Sequence, residues 1–201
     1  MLNDLREYIG ASMSIYSPRE DGLYGMLAEF RNPGELVHAA EAVHKAGYRR
    51  FDTHSPFPIH GMDKAMGLGN SLVGAWSLGG GLTGLAAGYL LQWWTGAVDY
   101  PMDISGKPAF AVEPSVPVMF ELTILFAALG AVIGMFAMNG LPRPYNPLFN
   151  SERFASVTDD GFFLHVAASD KNFDVANTDE LLRKIGALSV EKLYDLDDTA
   201  E

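Results

Sequence analysis

The side chains with the best claim to chemistry are five histidines and one glutamate, Glu121, that stands alone in an apolar run. Metal ligation needs imidazoles that converge. His38 and His44 are six apart on a predicted helix, so they point to different faces, unlike an i, i+4 ligand pair. His165 alternates with apolar residues in a predicted strand. His54 and His60 flank a proline-rich turn with Asp63 just beyond it. No metal site is expected from this set. The chain has no cysteine, which excludes disulfides, thiolate metal sites, iron–sulfur ligation and covalent c-type haem. No glycine-rich phosphate loop follows a strand, and no Ser/His/Asp grouping stands out. The expectation is a chain with no catalytic residue, no bound cofactor and no metal. Glu121 lies about one turn past Pro117, towards one end of its run. A carboxylate at that depth could relay protons, but it more often bonds a polar group of a neighbouring helix. Gln92, at comparable depth in the other apolar run, is its candidate partner.

Those two runs are the elements that must position Glu121. No Asp, Glu, Lys or Arg occurs between Lys64 and Asp99, so Leu68–Trp94 is uncharged for about 27 residues. As a helix it would reach roughly 40 Å, against a hydrocarbon core of about 30 Å. Pro117–Asn139 is of similar length and carries only Glu121. The pair predicts a transmembrane hairpin of helices over 68–94 and 117–139, joined by a connector over 95–116. A pair of buried core helices is the alternative. Gly80, Gly84 and Gly88 recur every four residues in the first run, and Gly130 and Gly134 do so in the second. Such spacing bares a stripe on which another helix can pack closely in lipid. Two helices are too few to enclose a pathway, so the stripes predict packing on each other and on larger neighbours.

Basic residues near the run ends set the expected orientation. Arg49, Arg50, Lys64, Arg143 and Arg153 lie in the flanks, whereas the connector holds only Lys107. By the positive-inside rule both termini are cytoplasmic and the connector is periplasmic, with Trp93 and Trp94 as an outer aromatic belt. The start of the chain, with Asp4, Arg6 and Glu7, lacks a signal-peptide apolar stretch, so the first run is expected to direct insertion.

Outside the hairpin lie about 67 residues before it and about 62 after it, each small for an independent core. The segment up to Asp21 predicts an arm or short helix ending in a Ser17–Gly22 turn. Leu23–Phe30 predicts a strand. Asn32-Pro33-Gly34-Glu35 is a helix start, with Asn32 as cap, Pro33 pre-set for the first turn and Glu35 completing a capping-box-like arrangement. Leu36, Ala39, Ala40 and Val43 give the apolar stripe, Gly47 the stop, and Tyr48–His54 a second strand. The right half repeats this grammar: strand Phe162–Ala168, helix start Asn177-Thr178-Asp179-Glu180, stop Gly186, strand Val190–Leu196. A β-α-β unit thus stands on each side of the hairpin. The economical assembly is an α+β membrane protein whose cytoplasmic ferredoxin-like domain is split, with halves over 1–67 and 140–201. The alternative is that each half packs separately on partner proteins.

The mean hydropathy of +0.07 averages an apolar middle with acidic flanks, so class must be assigned segment by segment. A formal net charge of −11 argues against nucleic acid as a partner. The most distinctive text outside the runs is Ser55-Pro56-Phe57-Pro58-Ile59-His60-Gly61-Met62-Asp63. Its two prolines hold the backbone extended and remove donors. Pro56, Phe57, Pro58, His60 and Gly61 are expected to form a rigid linker that also serves as a strap docked on another subunit.

This segment, with Asp52 before it, resembles the "D-x-x-x-PFPVHG-[LM]-D" signature of the ActD family, the two-helix membrane subunit of bacterial alternative complex III. Tyr100-Pro101 through Gly106-Lys107-Pro108, Pro117-Val118-Met119-Phe120-Glu121-Leu122-Thr123, and Pro144-Tyr145-Asn146-Pro147-Leu148-Phe149 resemble its further motifs. The chain departs from the pattern at Ile59 and at Ile104-Ser105. The resemblance spans about Leu23 to Leu196. It implies a non-catalytic, cofactor-free subunit of a membrane complex of the respiratory or photosynthetic chain. That complex oxidises a quinol and passes electrons to a periplasmic cytochrome c or copper protein. Haem c, iron–sulfur clusters and quinol sites are implied on partner subunits, among them large polytopic ones. Two other roles remain open: a membrane-tethered module that binds a regulatory ligand, and a proton-relay accessory acting through Glu121.

Overall fold

The computed structural model describes residues 22–195. The expected N-terminal arm, and Leu196 at the end of the last predicted strand, lie outside the described residues. The chain divides into two compact units, one built from the segments up to Gly69 and from Pro142 onward, the other from Asn70–Leu141.

In the first unit, strand β1 is Leu23–Phe30. Helix α1, Pro33–Lys45, starts as its sequence requires. Asn32 Oδ1 accepts from Glu35 N at 2.9 Å, and the Glu35 carboxylate accepts from Arg31 N at 3.2 Å and Asn32 Nδ2 at 2.9 Å. The free Glu35 N–H of the first turn is thereby satisfied, and the cap side chain is held in place. The helix stops before Gly47, whose φ of +97° lies where a side chain would be strained. Strand β2 is only Phe51–His54, shorter than the expected Tyr48–His54. The reason is a competing acceptor: Asp170 Oδ2 takes the N–H groups of both Arg49 and Arg50 at 2.7 Å, so Arg50 keeps only half of its ladder pairing, its carbonyl accepting from Ala167 N at 2.9 Å.

A short helix α2, Met62–Ala65, follows the proline-rich segment. After the second unit the chain returns through helical turns at Pro147–Asn150 and Arg153–Thr158 to strand β3, Phe162–Ala167. The last helix of the chain spans Val175–Lys184 and begins earlier than the sequence suggested. Its cap is Asp174, which accepts from Ala176 N at 3.1 Å and Asn177 N at 2.9 Å, and not Asn177. Thr178 is thus an interior, fully buried residue whose hydroxyl is bonded to that of Tyr48 at 2.9 Å. Strand β4 is Ser189–Tyr194.

The sheet order is β2-β3-β1-β4, with every pairing antiparallel. Period-two alternation sends Met26, Ala28, Phe30, Leu164 and Val166 to one face, where they meet Leu36, Ala39, Ala40 and Val43 of α1 and Leu182 of the last helix. The opposite face is also buried. Leu27, Phe163, Leu193 and Tyr24 pack there against Leu148 and Phe154 of the returning segment. Tyr24 reaches this face because the β1–β4 register shifts between Leu23 and Gly25. A sheet covered on both sides explains why β3 is apolar along its whole length, with His165 the single exception.

The second unit is a helix pair. α3 spans Val73–Trp93 and α4 spans Val116–Met138; the Val175–Lys184 helix is accordingly α5. The first apolar run does not become helical until Val73, after Gly67 and the Gly69-Asn70-Ser71 stretch, where Ser71 Oγ accepts from Val73 N at 3.3 Å. α3 continues into a π-helical turn over Trp94–Asp99, which occupies the start of the expected connector. Among the described residues, Glu113–Met138 is the one helical segment long and apolar enough to cross a membrane. Helix α3 falls short because six of its 21 residues are glycine.

If the returning segment is a true second core layer, Leu148→Ala, at a residue 1% exposed, lowers unfolding free energy by about 2–4 kcal/mol. A thermal melt of the purified protein checks this, and an unchanged midpoint would mean that the segment is only a surface loop.

Candidate functional site

The glycine stripes lie where α3 meets α4. A Cβ on Gly80 would strike the Phe126 carbonyl, and one on Gly84 the Leu122 carbonyl. A Cβ on Gly88 would sit 3.0 Å from Met119 Cα, one on Gly130 2.6 Å from the Trp76 carbonyl oxygen, and one on Gly134 2.6 Å from Trp76 Cβ. The backbones therefore approach as closely as side-chain-free positions permit, which maximises dispersion contact between the two helices. Ser77 Oγ donates across the pair to the Ala127 carbonyl at 3.1 Å. Gly74 and Gly79 of α3 differ from these, with nothing within 4 Å of an added Cβ.

Gln92 and Glu121 are not brought together. The Gln92 amide donates to the Ser115 carbonyl at 3.1 Å and to the Gly88 carbonyl at 3.3 Å. Ser115 and Glu121 are six residues apart, so Glu121 projects roughly 120° further round the helix, and it is exposed on the surface of this unit. Gln92 ties the entry of α4 to the end of α3, a role that its depth alone did not reveal.

In the first unit the proline-rich strap is pinned at three points. Ser55 Oγ donates to the Phe57 carbonyl at 2.7 Å, the Phe57 ring meets Phe162 edge-on at 5.7 Å, and Ile59 packs on the core. Gly61, with φ of +87°, turns the chain into α2. Phe57, Pro58, His60 and Gly61 are exposed, so the strap presents an apolar ring and a rigid backbone outward.

One grouping escaped the sequence. His165 and His54 lie on the same face of adjacent strands, because Asp52 pairs with His165 and His54 with Phe163. His165 is 1% exposed and stacks on Tyr24 with ring centroids 4.9 Å apart. His54 meets Phe154 edge-on at 5.2 Å. The Nε2 atoms of both histidines are buried without a hydrogen-bond partner. Burial pushes His165 down to about 3, aided by the nearby His54 and Arg143. Burial also lowers His54, with Asp52 opposing. Both imidazoles are therefore neutral at pH 7 and serve as core side chains. The alternation of His165 with apolar residues was visible in the sequence, but its neighbour required the strand register. Among the described residues no three His, Asp or Glu side chains gather as a metal site.

One unit that is α+β with a doubly covered sheet and another that is a glycine-packed helix pair, of which one helix is long and apolar enough to cross a bilayer, define a class of membrane-associated α+β protein. Within that class the chain belongs to the ActD subunit family of alternative complex III, whose family model matches residues 24–192. Membership makes it a subunit of that hetero-oligomeric membrane complex. No curated protein matches the chain.

Two outcomes follow from this geometry. Gly84→Ile, which drives a side chain into the Leu122 carbonyl, lowers the stability of the helix pair by about 1–3 kcal/mol or more, whereas Gly74→Ile does not; melting midpoints of the two variants compare them directly. The second concerns pH. Since His165 is lowered in the folded state, the unfolded chain binds more protons between pH 6.5 and about 3. Stability is then full above pH 6.5 and falls as the pH drops below it, by about 2 kcal/mol at pH 5 from this residue. His165→Phe keeps a ring against Tyr24 and removes that slope, which denaturation at pH 7.5 and pH 5 would measure.

Proposed function

We propose that this chain is a cofactor-free structural and assembly subunit of alternative complex III, clamping larger membrane subunits while its sheet unit stands on the cytoplasmic side. The observation that carries this reading is the family match over residues 24–192, which includes both the sheet unit and the helix pair. In this reading α3 and α4 form a transmembrane hairpin in the bacterial inner membrane, both termini are cytoplasmic, and the connector faces the periplasm. The strand order β2-β3-β1-β4 and the two β-α-β passes support a ferredoxin-like domain split by the hairpin. The complex oxidises a quinol and delivers electrons to a periplasmic cytochrome c or copper protein, with haem c and iron–sulfur clusters on partner subunits.

Close packing of α3 on α4 through glycine leaves their outer faces, with exposed Leu78, Leu82, Ile124 and Val132, for lipid and neighbouring helices. The exposed strap supplies a further contact. Glu121 is assigned a polar contact with an adjacent subunit and not a proton-relay role, because it lies near a run end.

Purification of the tagged chain in mild detergent tests the reading. Haem-bearing and iron–sulfur partners should co-elute; a chain that runs alone would overturn it. In the intact complex Glu121→Gln should leave quinol:acceptor turnover within about twofold, since removal of a general acid–base or relay group typically costs about 100-fold or more. A loss of that size in a normally assembled complex would transfer proton handling to this residue.

A further inference from the structure

In a chain of formal net charge −11, five of the 14 Lys and Arg residues collect at one end of the sheet unit. The organiser is Asp170, 7% exposed. Its carboxylate accepts from Arg49 N and Arg50 N at 2.7 Å and from Asn172 N at 2.8 Å. Arg50 Nη1 donates to the Ser169 carbonyl at 2.7 Å, and Asn172 Nδ2 to the Gly47 carbonyl at 2.9 Å. The turn after α1 and the turn after β3 are thereby locked side by side, which places Arg49 and Arg50 beside Lys171.

Lys45 and Lys64 extend the same surface. Arg49 Nη1 donates to the carbonyls of His44 at 3.1 Å and Tyr48 at 3.3 Å and reaches His44 Nδ1 at 2.9 Å. The His44 ring lies against Gly67, whose N–H in turn bonds the Lys64 carbonyl at 3.1 Å. The carboxylates at this end of these elements are Glu41, Asp63, Asp170 and Asp174. Glu41 is paired with Lys45 at 3.0 Å, Asp170 is 7% exposed and turned to backbone N–H groups, and Asp174 is turned to the N–H groups of Ala176 and Asn177, so the outward positive charge of this end is carried by Arg49, Lys64 and Lys171. Lys64 and Lys171 are exposed and have no carboxylate partner among the described residues.

We propose that this basic end binds the phosphates of anionic phospholipid headgroups of the cytoplasmic leaflet. The inference rests on the reading above in which α3 spans the membrane. Its occupant is set by charge and by tether. Lys64 precedes Val73, the first residue of α3, by nine residues, so the bilayer surface lies within an extended reach of about 30 Å. Lys/Arg clusters immediately cytoplasmic of a membrane helix are attracted to anionic lipid by about 1 kcal/mol per residue, roughly fivefold in affinity.

The test uses the full chain purified in detergent and titrated with mixed micelles of phosphatidylglycerol or phosphatidylcholine, read by tryptophan fluorescence and melting midpoint. Phosphatidylglycerol should bind and raise the midpoint, with an affinity that falls as salt is added; phosphatidylcholine should do neither. Arg49→Gln with Lys64→Gln and Lys171→Gln should lower the affinity about 100-fold, and Lys64→Gln alone about fivefold. Lys184→Gln with Lys192→Gln should leave it unchanged. Equal responses to the two lipids, an unaffected triple variant, or full replacement of the lipid effect by inorganic phosphate would each overturn the proposal. If carbonate washing strips the chain from membranes, the spanning reading itself fails; if the chain stays bound but does not discriminate lipids, only this inference fails.

Discussion

The antiparallel register of β1 with β3, which sets Gly25 opposite Ala167 and Phe30 opposite Phe162, is the interaction on which the sheet unit depends. It joins residues from opposite sides of the inserted helix pair. Neither flank is large enough to bury a core alone, and the two become one unit only through this ladder and its neighbour β1–β4. Closing so long a loop is tolerable because the entropic cost rises only with the logarithm of its length. Once the register is set, both faces of the sheet are committed, since a one-residue slip would exchange them. Gly25 shows how tight the seam is: a Cβ there would lie 2.5 Å from His165 Nε2.

Polar groups buried by that register are handled in two ways. Asp170 is fully engaged, and its bonds decide where β2 begins and which two turns lie together. His54 and His165 are instead buried without partners at Nε2, at a cost accepted because each ring packs on an aromatic neighbour. A buried imidazole that has lost its charge escapes the cost of burying an ion, but each partnerless Nε2 still carries the penalty of a desolvated polar atom. The same unit thus carries a dry face around the histidines and a basic end around Asp170.

The helix pair obeys a different rule. Contact between α3 and α4 comes from backbone approach at Gly80, Gly84, Gly88, Gly130 and Gly134, with Ser77 and Gln92 donating to carbonyls across or beside the seam. Such a pair is thin and leaves most of its apolar surface outward, which suits a subunit of a larger membrane assembly.

Features that depend on a few neighbouring residues were legible in the chain by itself. β1 over Leu23–Phe30, the Asn32 cap with its Pro33 and Glu35, the stops at Gly47 and Gly186 and the glycine spacing all follow from local capping, φ preference and periodicity. The family resemblance was legible too, because the proline-rich segment is itself local text. What only the tertiary structure decided involves partners far along the chain. Asp170 shortened β2, the geometry at Asp174 and Thr178 moved the start of α5, and the return segment with Leu148 and Phe154 became a second core layer. Gln92 found Ser115 in place of Glu121, and His54 found His165. Each outcome was set by strand register or helix phase, which bring groups distant in the chain within bonding distance, and no short-range pattern encodes that.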